Sequence, residues 1–356
     1  GLGLSILLAG QLAAPLLARI TATDAAGRAA VLYFRIRILG APLLLVVVAL
    51  REARYGTGDS RSPMVATVTA NLVNIMVAAS LIHVKGLGVA GVAWATVVAH
   101  AVEAGFLVVS QQRIGWRLRG VRASHAWETC RLGFPTGIQF FLEIGSFGLL
   151  TAMLSSMGEK DAAAHQVALQ VIHFSFLPSF AVGEAVSILS GQAVGAGRDR
   201  QVLRVARLGM WLVGAYTGAC TIVLTLGAPW IVSGFTSDPG LSRIAVSLLY
   251  VAAVFQIFDG ANIVARGALR GTGDVRFPAL LGVLTAWCMT PPLTWLLGLK
   301  LHWGAVGGWL GLCAEIVIGA LLLWWRLERR HWLGVAEKAR ARMAEGRIVS
   351  AEVTVG

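Results

Sequence analysis

The sequence predicts an all-α polytopic membrane protein: two pseudo-symmetric helix-bundle lobes that repeat in parallel, with about ten transmembrane helices. Three observations carry that prediction. The 356 residues are 56% hydrophobic and 13% charged, with a mean hydropathy of +0.73; a soluble domain is nearer half apolar and a quarter charged. Apolar runs of about 20 residues, the length that crosses a bilayer, recur along the whole chain. An octapeptide beginning at Gly56 returns at Gly271. Disorder is excluded because it needs low hydrophobicity. Four cysteines are too sparse for a disulfide scaffold. Barrel strands alternate apolar and polar residues, whereas Leu43 to Leu50 is continuously apolar.

In chain order the predicted spans are 1–20, 29–50, 63–84, 87–111, 132–157, 162–196, 207–232, 244–268, 277–299 and 303–325. Short gaps carrying Gly, Pro, Asp or Arg separate nearly all of them, as loops should. The second has only a short charge-free core, Ile38 to Leu50, and needs Arg35 and Arg37 to snorkel toward an interface. The sixth exceeds a straight crossing, so it tilts or extends beyond the bilayer.

Basic residues orient the chain. Of 30 Lys and Arg, 22 fall in 51–61, 113–131, 198–207, 266–276 and 326–347. The loops between these carry one each: Lys85, Lys160, Arg243 and Lys300. The positive-inside rule then puts the C-terminus and residue 1 in the cytoplasm. Arg19, Arg28, Arg35 and Arg37 flank the first loop, against the alternation. The basic tail reads as held by anionic lipid headgroups. No aromatic-interleaved motif points to nucleic acid.

The octapeptide is Gly56-Thr57-Gly58-Asp59-Ser60-Arg61-Ser62-Pro63, recurring as Gly271-Thr272-Gly273-Asp274-Val275-Arg276-Phe277-Pro278. Downstream, Gly88-Val89-Ala90-Gly91 recurs as Gly304-Ala305-Val306-Gly307. The octapeptide's role is structural. Gly56, Gly58, Gly271 and Gly273 supply unusual backbone angles, Asp59 and Asp274 bond nearby backbone, and Pro63 and Pro278 start the next helix. Copies an even number of spans apart share an orientation. Two halves then relate by an axis along the membrane normal, a plan typical of transporters with sites near the midplane. The predicted layout is a first lobe at 1–115, a basic cytoplasmic inter-lobe loop at 116–131, a second lobe at 132–327 and a basic cytoplasmic tail at 328–356. Matching halves would put two further helices before Gly1, which opens into an apolar run without Met. Such a four-span half-lobe is expected to be inactive alone.

Five acids fall within spans: Glu103, Glu143, Glu184, Asp259 and Glu315. Ionisable groups there are costly and default to function. Glu143 lies twelve residues after Arg131, roughly 18 Å along a helix and near mid-bilayer. Neither Glu143, in GIQFFLEIGSF, nor Asp259, in VFQIFDGANIV, has a basic residue within a turn. Each can carry a proton, or the two can hold a hard cation such as Na⁺ between oxygens. The plainer alternative is a protonated acid bonded to a backbone carbonyl. Glu184 either lines the lobe's cavity or snorkels to the inner interface. Glu103 has His100 at i,i+3 spacing and reads as a local pair. Glu315 has no assigned role.

Several dispersed motifs, in order, resemble the MATE (multidrug and toxic compound extrusion) family, in its NorM/DinF-like branch. They are the repeated GTGDxRxP loop, ANLVNI at 70–75, AAHQVALQV at 163–171, GQAVGAG at 191–197 and ARGALRGTGD at 265–274. The resemblance runs to about residue 330, as helices three to twelve of twelve. It implies six-helix lobes around a cavity and export of organic, often cationic, amphipathic compounds in exchange for Na⁺ or H⁺. It implies no cofactor, no partner beyond substrate and lipid, and a monomer. In the NorM-like branch a Glu on the seventh helix and an Asp on the tenth form the cation site of the second lobe; Glu143 and Asp259 fall on those positions. The family's first-lobe site uses an acid on helix one, an Asn and an Asp on helix five and a Thr on helix six. Asn74 and Thr96 match as cavity residues, but Ala78 replaces the Asp. His165, within the family motif, either lines the cavity as a relay or is a hydrogen-bonded structural residue.

Other patterns are weaker. Gly86 to Gly91 fits GxGxxG but joins two membrane helices instead of following a strand. Cys130, Cys220, Cys288 and Cys313 lack metal-ligand spacing, and no metal site is predicted beyond Na⁺ at Glu143 and Asp259. No G-x-S-x-G, HExxH or Walker A sequence occurs, so the chain is not expected to be an enzyme. A lipid-intermediate flippase would need basic residues in its cavity, yet the basic residues fall in predicted loops. An intramembrane enzyme would need a facing nucleophile and base. A receptor or scaffold leaves buried acids unexplained.

Overall fold

The computed structural model describes residues 2–19, 24–112 and 123–341, and no strand occurs among them. Two compact units emerge, Gly1–Gly120 and Val121–Gly356; the predicted lobe end at 115 lies outside the described residues. Eight helices among the described residues are long and apolar enough to cross a bilayer, or nine if one bent pair counts as a span. Ten were expected.

The first unit contains α1 (Leu2–Ala13), α2 (Asp24–Ile38), α3 (Ala41–Gly56), α4 (Arg61–Ala79) and α5 (Gly88–Gln112). Two differences from the sequence reading lie here. The apolar helix Leu2–Ala18, α1 with its tight continuation, is too short to count as a span. The predicted span 29–50 is α2 and α3, bent by 44°. Gly40 precedes α3, and Pro42 in its first turn has no N–H to offer a continuing helix. Arg35 and Arg37 therefore occupy the last turn of α2, where cations favour exposed carbonyls. Val47, Ala66, Ala104 and Leu107 form this unit's small core.

The second unit contains α6 (Ala123–Met157), α7 (Glu159–Gly195), α8 (Asp199–Ser233), α9 (Pro239–Gly271), α10 (Arg276–Leu293) and α11 (Gly304–Glu328). Helix α9 packs against α7, α8 and α11, and the packing is close because small residues meet. A Cβ on Gly267 would strike the Gly183 backbone of α7, and one on Gly260 would strike Val213 of α8. Two parts of the predicted layout change. Helix α6 already runs from Ala123, within the expected loop 116–131; residues 113–122 lie outside the described residues. The expected tail begins as folded structure. A helix over 333–341 follows a turn in which Trp332 is fully buried against the α8–α9–α11 core, and Arg340 Nη1 pairs with Asp199 Oδ1 of α8 at 2.6 Å. Burying an indole is worth several times the roughly 0.8 kcal/mol of a methylene, which docks the segment.

The sequence repeat is a structural repeat. Gly58 (φ 83°) and Gly273 (φ 85°) both adopt the left-handed conformation. In each copy the Asp amide bonds five residues back (Asp59 to Arg54 O, 3.0 Å; Asp274 to Leu269 O, 3.1 Å), and the Gly amide bonds three back (Gly58 to Tyr55 O, 3.1 Å; Gly273 to Arg270 O, 3.0 Å). That is the Schellman cap, which needs glycine at its left-handed position. Further on, α4 and α10 each end in a π-helical widening, Ser80–Val84 and Thr294–Lys300.

Candidate functional site

The second unit holds a cavity of about 370 Å³ that Glu143, Glu184, Asp259 and Glu315 line together with Arg266 and Arg270. Phe140, Phe147, Phe176 and Phe180 supply much of its apolar wall.

Glu143 is set by the contact of α6 with α10. Trp287 Nε1 of α10 donates to the Leu142 carbonyl at 3.1 Å, and Ser146 Oγ donates to the Ala286 carbonyl at 2.9 Å. These bonds bracket Glu143 and fix its face. Its carboxylate accepts from Arg266 Nη1 of α9 (2.9 Å to Oε1, 3.1 Å to Oε2) and from Gln139 Nε2 (3.0 Å). Gly282 of α10 makes the room: a Cβ there would strike Glu143 Oε1 and crowd Gln139 and Arg266. Glu184 of α7 pairs with Arg270 of α9, whose Nε also reaches Ser187 Oγ at 3.3 Å. Both guanidiniums are thus engaged.

Asp259 and Glu315 differ. Neither has an ion-pair partner among the described residues. Glu315 of α11 accepts a hydrogen bond from the Thr290 hydroxyl of α10. Asp259 shares its stretch of α9 with Asn262, and α11 is tied there by Trp324 Nε1 donating to the Ala261 carbonyl at 2.9 Å.

The expected isolation of Glu143 is therefore corrected. Arg266 and Arg270 were counted with a basic loop at 266–276, but both lie on α9, which runs to Gly271. A signal was present: Asp259, Asn262, Ile263, Arg266 and Arg270 follow i, i+3, i+4, i+7, i+11 spacing, one face of a helix. Thr290, Gln139 and Gly282 had no comparable signal, since their roles arise across helices.

His165 does not line this cavity and is fully buried. Trp309 Nε1 donates to its Nδ1 at 3.0 Å. Its Nε2 lies 3.1 Å from Thr151 Oγ1, whose hydroxyl donates to the Phe147 carbonyl. The network sets an Nε2–H ring with both nitrogens satisfied, which is the structural alternative. In the first unit, Thr96 donates to the Val92 carbonyl of its own helix. Asn74 sits on α4, and Glu103 takes the Thr67 hydroxyl at 2.7 Å.

Residues 135–296 match the MatE family profile. Similar curated proteins include the probable multidrug resistance protein NorM of Pseudomonas syringae pv. tomato, 30% identical over 81% of this chain and 66% of its own length. The protein of that name from Thermotoga maritima is 28% identical over 82% of this chain and 64% of its own. The one from Xylella fastidiosa (strain Temecula1) is 34% identical over 68% and 52%. The chain belongs to the MATE family. It spans about two thirds or less of these relatives. A crystal structure of a MATE transporter in the straight conformation matches with a TM-score of 0.84 at 20% identity, over 94% of this chain and 77% of that one. A MOP superfamily transporter from Pyrococcus furiosus, described as having a binding pocket of reverse polarity, matches with a TM-score of 0.84 at 20% identity, over 93% and 76%. These likenesses show the MATE fold, with the cavity inside one of its helical units.

Proposed function

We propose that the full-length protein is a secondary active antiporter of a cell inner membrane, exporting small cationic amphipathic compounds in exchange for Na⁺ or H⁺, with its C-terminus cytoplasmic. The charge balance of the second unit's cavity carries this reading. Four carboxylates face two guanidiniums, and both guanidiniums are already paired. Phenylalanine walls around an excess of negative charge suit an amphipathic cation. The names of the NorM relatives agree. Coupling follows if ion and substrate compete for the same carboxylates, Glu143 and Asp259 foremost, since a ligand shifts a conformational equilibrium only through differential affinity. Substrate and lipid are the partners, and a monomer suffices.

The test is export of ethidium by the full-length protein in proteoliposomes, under a Na⁺ gradient and then a pH gradient. Export under one of them supports the reading; none under either overturns it. A flippase for lipid intermediates has one observation in its favour, because Arg266 and Arg270 stand in the cavity after all. Specific binding of a lipid pyrophosphate, lost in Arg270→Gln, would favour it.

A further inference from the structure

We infer that Arg266 and Arg270 form a gate. With Glu143 and Glu184 they close the second unit's cavity toward the 271–278 turn, and when they part, small hydrophilic solutes have a route through this unit to the cytoplasm. The inference needs the orientation that the basic loops predict, and stands apart from what the protein exports. Two cavities meet at these side chains. The larger, about 370 Å³, extends along α9 to Asp259. A smaller one, about 20 Å³, is lined by Thr136 and Gln139 of α6 and by Val275 and Pro278 of the turn. Arg266, Arg270 and Phe140 line both. The smaller space has room for one water molecule. Chain order agrees with this layout. Helix α9 runs from Asp259 through Arg266 and Arg270 to the turn, and α6 runs from Thr136 through Gln139 to Glu143. The guanidiniums, one helical turn apart, stand between the two spaces.

Side chains do the closing. Helix α9 packs closely on α7 but hardly touches α6. The pair of Arg266 with Glu143, 2.9 Å apart, spans that gap, and Gln139 Nε2 donates to the same carboxylate at 3.0 Å. A barrier of side chains opens by rotamer change, faster than packed helices separate. Two features keep the closed arrangement from being deeply favoured. Arg266 Nε is buried without a hydrogen-bond partner among the described residues, so closure leaves a donor unsatisfied. The side chains of Arg270 and Glu184 are 33% and 34% exposed, and an ion pair that well solvated adds little net stability. The same two pairs that hold the arginines in place are therefore able to release them.

The experiment uses the full-length protein in oriented membrane vesicles, with its native cysteines replaced by alanine. A cationic and an anionic membrane-impermeant thiosulfonate are added in turn at the cytoplasmic face. Thr136→Cys, on the turn side of the arginines, should react roughly tenfold or more faster than Ile316→Cys on the cavity side, because a closed gate scales the inner rate by its open fraction. Equal rates overturn the inference, and this comparison leaves the gate itself unaltered. Arg266→Ala and Arg270→Ala, combined with Glu143→Gln and Glu184→Gln, strand no charge. Together they should accelerate Ile316→Cys roughly tenfold or more with both reagents. No acceleration overturns the inference, as does acceleration of the cationic reagent alone, which reports only an altered field. Thr136→Trp added to that variant fills the smaller cavity and should remove the gain. A gain that persists means another route and overturns the inference. Export is not read in any arm, so failure here leaves the antiporter reading standing.

Discussion

In the first unit the repeated turn ends on Asp59, held by Arg54 of the helix just before it at 3.1 Å. In the second unit the matching Asp274 is held by Arg326, which arrives from α11 at 2.6 Å and also lies over the Phe277 ring. The backbone of the two turns is the same. The carboxylates are not equally placed: the side chain of Asp59 is 29% exposed and that of Asp274 is 5% exposed. The membrane interiors diverge in the same direction. The first unit buries Glu103 with Thr67 as its partner, while the second surrounds a cavity with four acids and two arginines. A repeated sequence therefore preserves a cap whose bonds are local, and leaves the long-range partners free to change.

The largest expected effect separates the two interiors. In the full-length protein, Asp259→Asn should cut ion-driven ethidium export roughly tenfold to a hundredfold. Glu103→Gln should leave it within about twofold, because the amide oxygen still accepts from Thr67. Equal loss in both would erase the functional distinction between the units. Next comes the internal ion pair. Arg266→Gln leaves Glu143, about one fifth exposed on the cavity wall, without its cation and should cost roughly 1–3 kcal/mol, below the cost of breaking a fully buried pair. Glu143→Gln combined with Arg266→Gln should recover much of it. Thermal unfolding in detergent reads both, and additive losses would show that the pair is not coupled.

Smaller effects separate the two turns. Asp274→Ala should lower stability by about 1–3 kcal/mol because it strands the Arg326 guanidinium, whereas Asp59→Ala should cost about 1 kcal/mol or less at its more exposed site. A larger loss at Asp59 would reverse the ranking drawn from burial. The smallest effect is a pH dependence. Hydrogen bonds from Ser62, and then the charge of Arg54, hold the Asp59 carboxyl below its ordinary value of 3.8. A carboxyl lowered in the folded state adds stability above its unfolded pKa and loses it as pH falls through the folded value. The wild type should therefore lose slightly more stability than Asp59→Asn on acidification below about pH 4. Parallel melting curves across that range would remove Asp59 from the turn's energetics.

Much of this was legible along the chain. Apolar runs marked the helices because a bilayer accepts only backbone that satisfies itself. Glycine at 58 and 273 marked the caps because the left-handed position excludes most side chains. The α2–α3 bend was written in Gly40 and Pro42, yet the apolar run across them reads as one span; hydropathy sums over a window and is blind to a single broken turn. Arg266 and Arg270 were misplaced for a related reason. A guanidinium near a helix end looks like a loop residue until the helix is seen to continue past it.

The sequence by itself determined that the chain is a bundle of membrane helices with a repeated cap, and which acids sit where water is scarce. These follow from hydropathy and backbone sterics, both of which are local. Only the tertiary structure decided which acids have partners. Glu143 meets Arg266, 123 residues away in the chain, because Gly282 leaves the space between α6, α9 and α10 open. Asp259 and Glu315, in the same cavity, form no ion pair among the described residues. Pairing depends on distance through space, and in a poorly solvated interior a few ångströms decide whether a carboxylate has a guanidinium beside it or stands without one.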